Sequence, residues 1–137
     1  MPARKPKVVH TIICDDIREE IGNKVTFVGT YGLDIFTTKI PFIFPKLCFV
    51  NFVRDIKSGD SISIELVNPS GKRLGNIITN TVPKNGVGHE SKTAIFAIFS
   101  PLKIEEEGLH KLKITFNEDD KSKNEFAFNI KVGEKLR

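Results

Sequence analysis

The clearest hydrophobic pattern lies at the end of the chain. Leu109 to Phe116 and Glu125 to Val132 both alternate apolar and polar residues with period two. A short polar turn, Asn117-Glu118-Asp119-Asp120-Lys121, separates them. Alternation of this kind on both sides of a short turn predicts a half-buried antiparallel hairpin. Upstream, Ser61 to Val67 alternates with Ile62, Ile64 and Leu66 inward, and Asn68-Pro69-Ser70-Gly71 suits a type I turn. Leu74 to Thr81 forms the next strand. Lys24 to Tyr31 alternates as well, and Gly29 interrupts its row, which predicts a bulge or a close backbone approach.

Three runs are apolar on both faces: Val8 to Asp15, Lys46 to Arg54 and Thr93 to Ser100. The second reads as a central strand, with Leu47, Phe49 and Val53 opposite Cys48, Val50 and Phe52. Between the first two strands, Ile17 and Ile21 stand four apart ahead of Gly22-Asn23. This spacing predicts at most one short helical turn near residues 16–21. Gly32 to Pro45 is apolar but broken by Pro41 and Pro45, as in an edge segment or an ordered loop. Pro83 to Lys92 is the longest polar loop.

About eight short strands with turn signals every eight to twelve residues specify an all-β protein. No run has a helical period long enough to cross over between parallel strands. The expected fold is a two-sheet antiparallel β-sandwich, immunoglobulin-like or fibronectin-like. It occupies residues 8–133 as one domain between a basic N-terminal tail, 1–7, and a C-terminal tail, 134–137. His110 follows Gly108-Leu109 where sandwiches of this kind carry a corner tyrosine, and its imidazole is expected to reach a nearby carbonyl.

The chain has 137 residues, enough for one sizeable core without disulfides or metal. Its 11 Phe against one Tyr and no Trp give aromatic rings without a polar handle, suited to packing. The net charge is +4, with much of the excess in the tails. Arg4, Lys5 and Lys7 precede the first strand, and Lys131, Lys135 and Arg137 lie at or after the last. There is no signal-peptide pattern and no run long enough for a membrane helix, so no membrane insertion is expected. Two cysteines, each within an apolar run, point to a reducing compartment and to buried thiols rather than a disulfide. Whether Cys14 and Cys48 meet is not legible in the sequence.

Catalytic and cofactor signatures are absent. Asp15, Asp16, Glu19 and Glu20 form the densest acidic cluster, but they lack the register of a calcium loop and surround Arg18. Helix capping by Asp15 or Asp16 is the expectation, and no metal or cofactor is assigned. His10 and Cys14 share a strand face roughly 13 Å apart, too far for proton transfer. His89 lies in the polar loop with only Glu90 near it. Ser70-Gly71-Lys72 lacks the upstream glycine of a phosphate loop. Gly86-Val87-Gly88, next to Lys84 and Lys92, is open to an anion-nest reading, but flexibility is the expected reason for its glycines.

The run Ile12 to Glu20, with Cys14-Asp15 beside an apolar strand and an acidic stretch after it, leads into Gly22-Asn23-Lys24 and then a strand ending in Gly29-Thr30-Tyr31. This opening resembles that of a family of small bacterial proteins of unknown function. Pro45-Lys46-Leu47 and the closing hairpin fit the same layout. The present chain has Asn23 between a Gly and a Lys that the family places side by side. The resemblance implies a cytoplasmic bacterial setting and an immunoglobulin-like or related sandwich. It carries over no site residues.

The function expected from these features is a non-catalytic interaction module. It would bind a protein partner, or a second copy of itself, through a sheet edge or loop. Ile35, Phe36, Phe42 and Phe44 either form that surface or cap the open end of the core. The alternative is a nucleic-acid-binding accessory protein using Arg4, Lys5, Lys7, Lys72, Arg73, Lys84 and Lys92. A hydrolase or small-ligand binder ranks last, since no convergent polar set is visible.

Overall fold

The computed structural model describes residues 5–82, 93–119 and 124–133. Among these residues the protein is all-β, with eleven strands and no helix. One sheet contains β1 (Lys7–Glu20), β2 (Lys24–Tyr31), β5 (Leu47–Arg54) and β8 (Thr93–Phe99) in the order β2-β1-β5-β8. The second contains β3 (Asp34–Thr37), β6 (Ser61–Val67), β7 (Arg73–Thr81), β10 (Gly108–Phe116) and β11 (Asn124–Val132) in the order β3-β11-β10-β6-β7. A small third sheet pairs β4 (Phe42–Phe44) with β9 (Leu102–Ile104).

The two large sheets share one core. Phe49 of β5 meets Phe128 of β11 with ring centroids 5.5 Å apart and Phe99 of β8 at 5.8 Å. Around them pack Ile13, Leu47, Ile62, Ile64, Leu66, Leu112, Ile114, Phe116 and Ile130. The alternation read from β6, β10 and β11 places these residues on the inner face, as period two requires. The closing hairpin pairs Gly108↔Ile130 through Ile114↔Asn124 without a register shift. The Asn68 turn closes with Gly71 N–H donating to Asn68 O at 2.9 Å, and Gly71 has φ +84°.

β1 and β5 are apolar on both faces because the first sheet has a second cluster on its outer side. Cys14, Cys48 and Val50 are fully buried there under Ile12, Ile17, Phe27, Phe52, Ala94 and Phe96. The bent β1–β2 hairpin helps cover them. Phe27 pairs with Ile17, and Phe52 pairs with His10. On a straight strand His10 and Ile17 would lie about 23 Å apart, yet the Phe27 and Phe52 rings are 6.5 Å apart. The arm beyond Asp15 therefore folds back over the sheet. Gly29, at φ +66°, sits at the bend, where a Cβ would come within 2.5 Å of Asp15 Oδ2.

Three expectations need correction. Residues 16–21 form no helical turn: β1 continues to Glu20 and pairs with β2 through Glu20↔Lys24. Consequently Asp15 and Asp16 cap no helix. Gly22 (φ +87°) and Asn23 (φ +59°) belong to the hairpin turn, whose geometry uses the same positive φ that ends helices. The sheets are not wholly antiparallel either, because β3 runs parallel to β11, with Ile35 opposite Ile130. Finally, the described residues form eleven strands rather than about eight. The extra ones are short segments, β3 and β4 in the Pro-broken stretch and β9 after Pro101.

One buried polar group links three strands of the first sheet. Thr11 donates to Asn51 Oδ1 at 2.9 Å, and Asn51 Nδ2 donates to Ile95 O at 3.2 Å. Asn51 thereby ties β1, β5 and β8 together while fully buried. Asn51→Ala leaves both partners unsatisfied, and a loss of about 2–3 kcal/mol is expected in urea unfolding.

Candidate interaction surface

Each large sheet has two edges, and the four differ in how well they resist pairing. Natural edges are protected by shortness, charge, proline or bulges. β3 is four residues long and begins with Asp34. β7 begins with Arg73 and has Gly75 at φ +68°, and its pairing with β6 shifts register between Ile64 and Leu66. β2 carries Lys24 and the Gly29 bend.

β8 has none of these devices. Its seven residues, Thr-Ala-Ile-Phe-Ala-Ile-Phe, contain no charge, no proline and no glycine. It pairs with β5 in unbroken register from Leu47↔Phe99 to Val53↔Thr93. Among the described residues, no main-chain hydrogen bond reaches its other side. Ile95, Ala97 and Phe99 face the common core, whereas Ala94 and Phe96 face the outer cluster. Ile98 is 46% exposed. The edge therefore continues into an apolar outer face. Beside the start of β8, Val9, Phe52, Val53, Arg54, Thr93 and Ala94 line an open groove of about 540 Å³.

The residues singled out from the sequence are scattered. Ile35 and Phe44 are core residues, and Phe42 packs edge-on against Phe44 at 4.8 Å. These three cap the core and do not form an exposed patch. Phe36 points outward and is 48% exposed on β3. Lys5 pairs with Asp119 at 3.3 Å, and Lys7 lies opposite Arg54 at the start of β1. Lys72 and Arg73 sit at the other end of β6, whose seven residues span roughly 20 Å. Arg4, Lys84, Lys92, His89 and the Gly86-Val87-Gly88 loop lie outside the described residues.

The acidic cluster alternates along β1. Tyr31 donates its hydroxyl to Asp15, and Thr26 donates to Glu20 at 2.7 Å. Lys46 donates to Asp16 at 3.0 Å and holds its carboxyl below the usual range, helped by the Ile17 N–H. Burial, reinforced by Asp15, pushes the Tyr31 hydroxyl well above its ordinary value. Among the described residues, no three metal-ligating side chains converge.

The His110 imidazole reaches a nearby carbonyl, as expected. Its Nδ1–H donates to Gly108 O at 2.9 Å, and its ring stacks on Phe128 with centroids 5.6 Å apart. Nε2 is buried without a partner among the described residues. Burial lowers the imidazole pKa, although Gly108 O and Glu106 pull the other way. The unfolded chain takes up a proton near pH 6.5 and the folded chain only at lower pH. Stability is thus complete above about 6.5 and falls as pH drops toward the folded value. Between pH 7 and 5, Tm should fall more steeply for the wild type than for His110→Phe. Parallel pH profiles of Tm would contradict this.

Sequence comparison places the chain in a family. Residues 10–131 match DUF6941, a family of unknown function, and the protein belongs to it. No curated protein matches. Among solved structures, the chain is similar to the Pseudomonas fluorescens alkylpurine DNA glycosylase AlkC bound to DNA containing an abasic site analog. There the identity is 9%, the TM-score 0.46, and the match covers 92% of this chain and 30% of that one. A β-glucosidase from Listeria innocua in complex with isofagomine shows 10% identity and a TM-score of 0.44, over 73% of this chain and 15% of that one. The C-terminal domain of wzt shows 9% identity and a TM-score of 0.43, over 96% of this chain and 75% of that one. The chain thus spans less than a third of the first two proteins. At this level the likenesses bear on neither topology nor function. Among the described residues, no helix is long and apolar enough to cross a membrane.

Proposed function

We propose that the protein is a non-catalytic interaction module that pairs with a second copy of itself through β8. The observation that carries this reading is the uncharged, unbulged seven-residue edge. In a closed two-fold dimer the same strand meets itself antiparallel. A strand with no charges opposes no like charges in any register, so β8 is compatible with itself. Pairing joins two four-stranded sheets into one of eight and covers Ile98. The two facing sheets form a sandwich of immunoglobulin-like kind on this reading, supported by the shared core and the long closing hairpin. With only two cysteines, both free, the chain suits a cytoplasmic setting.

Sedimentation velocity over a dilution series tests the proposal. A concentration-dependent monomer–dimer equilibrium is the expected result. A monomer at every concentration up to the solubility limit would overturn it.

A further inference from the structure

The cysteines that the sequence left unrelated are direct cross-strand partners. Cys14 of β1 lies opposite Cys48 of β5, and both belong to the outer cluster of the first sheet. Opposed residues in an antiparallel pair have Cα atoms about 4.5–5.5 Å apart, within the range that a disulfide spans. Both thiols are free and fully buried. Cys48 Sγ contacts Asp15 O at 3.8 Å. Above them lies the folded-back β1–β2 arm with Ile17 and Phe27.

We propose that Cys14 and Cys48 form an oxidation site for a hydroperoxide, closed by the β1–β2 arm and opened when that arm lifts. The Cys14 sulfur attacks the outer oxygen of the hydroperoxide. The O–O bond breaks, the inner oxygen takes the Cys14 thiol proton and leaves as an alcohol (or water, from hydrogen peroxide), and Cys14 becomes a sulfenic acid. The Cys48 sulfur then attacks the Cys14 sulfur. The S–S bond forms, the S–O bond breaks, and the hydroxyl leaves as water with the Cys48 proton. Two thiols lose two electrons, and the peroxide gains them.

Burial pushes both thiols up, Cys48 to about 11. For Cys14, the Asp16 amide and the Cys48 thiol offset part of this rise while the Asp15 and Asp16 carboxylates add to it, and Cys14 is assigned as the attacking sulfur because it lies on β1, the strand that continues into the arm. With the arm in place neither sulfur meets solvent, and the reaction waits on opening. Phe27→Ala loosens the arm without touching either thiol's strand position.

The test treats reduced native protein with hydrogen peroxide, followed by intact-mass measurement and peptide mapping. Loss of two hydrogens from the monomer, a Cys14–Cys48 linked peptide and reversal by a thiol reductant are expected. Phe27→Ala should oxidise at least several-fold faster, while Cys48→Ala should stop at oxygen adducts on Cys14. Two results would overturn the proposal. One is unlinked oxygen adducts on both cysteines of the wild type. The other is free thiols in both the wild type and Phe27→Ala.

Discussion

Phe49→Ala is expected to remove about 3–5 kcal/mol of folding stability, the range for truncating a buried aromatic ring. Phe49 is fully buried on β5, which pairs with β1 on one side and β8 on the other. Its ring lies against Phe99 of its own sheet and Phe128 of the facing one. The truncation leaves a cavity where the two sheets meet, and neither can close it without breaking ladder hydrogen bonds. Phe36→Ala removes the same ring from a half-exposed position on β3, and a change within about 0.5 kcal/mol is expected. Urea unfolding with a common slope measures both. Equal losses for the two variants would mean that the core does not lie between the sheets at Phe49.

Ile98→Lys is expected to weaken self-association at least tenfold while leaving the unfolding midpoint nearly unchanged. The side chain is 46% exposed on the outer face, so an ammonium there stays in water in the monomer. Antiparallel pairing of two β8 strands brings two such charges onto one short ladder and surrounds them with Phe96 and Ala94. Edge lysines are a common protection against this kind of pairing. Sedimentation of the variant over the wild-type dilution series reads the shift. An unchanged dimer would mean that the association uses another surface.

Much of the fold is written in local patterns. Period two in β6, β10 and β11 assigned the inner face correctly, because one side of each strand meets the core and the other meets water. The two-sided apolar run of β5 identified a central strand, and the outer cluster around Val50 explains why its second face is apolar too. The parallel β3–β11 pair was not legible, since it joins residues about 95 positions apart and only four residues of β3 take part. The segment at 16–21 was misread because Ile17 and Ile21 have helical spacing. In the structure Ile17 packs on the outer cluster, and Ile21 is 95% exposed at the hairpin turn.

The candidate surface was legible only in part. The composition of β8 was visible, but its place at a sheet edge depends on which strands pair, and no local pattern encodes that. Ile35, Phe42 and Phe44 drew attention as an apolar, Pro-broken stretch. They turned out to close the core, because β3 and β4 are too short to read as strands. The pairing of Cys14 with Cys48 likewise comes from the β1–β5 register, across a separation of 34 residues.

Amide hydrogen exchange at two protein concentrations, above and below the association midpoint, tests the β8 interface most directly. Protection that rises with concentration along Thr93–Phe99, with β2, β3 and β7 unchanged, is the predicted result. Concentration-dependent protection at another edge, with β8 exchanging alike in both samples, would contradict the account.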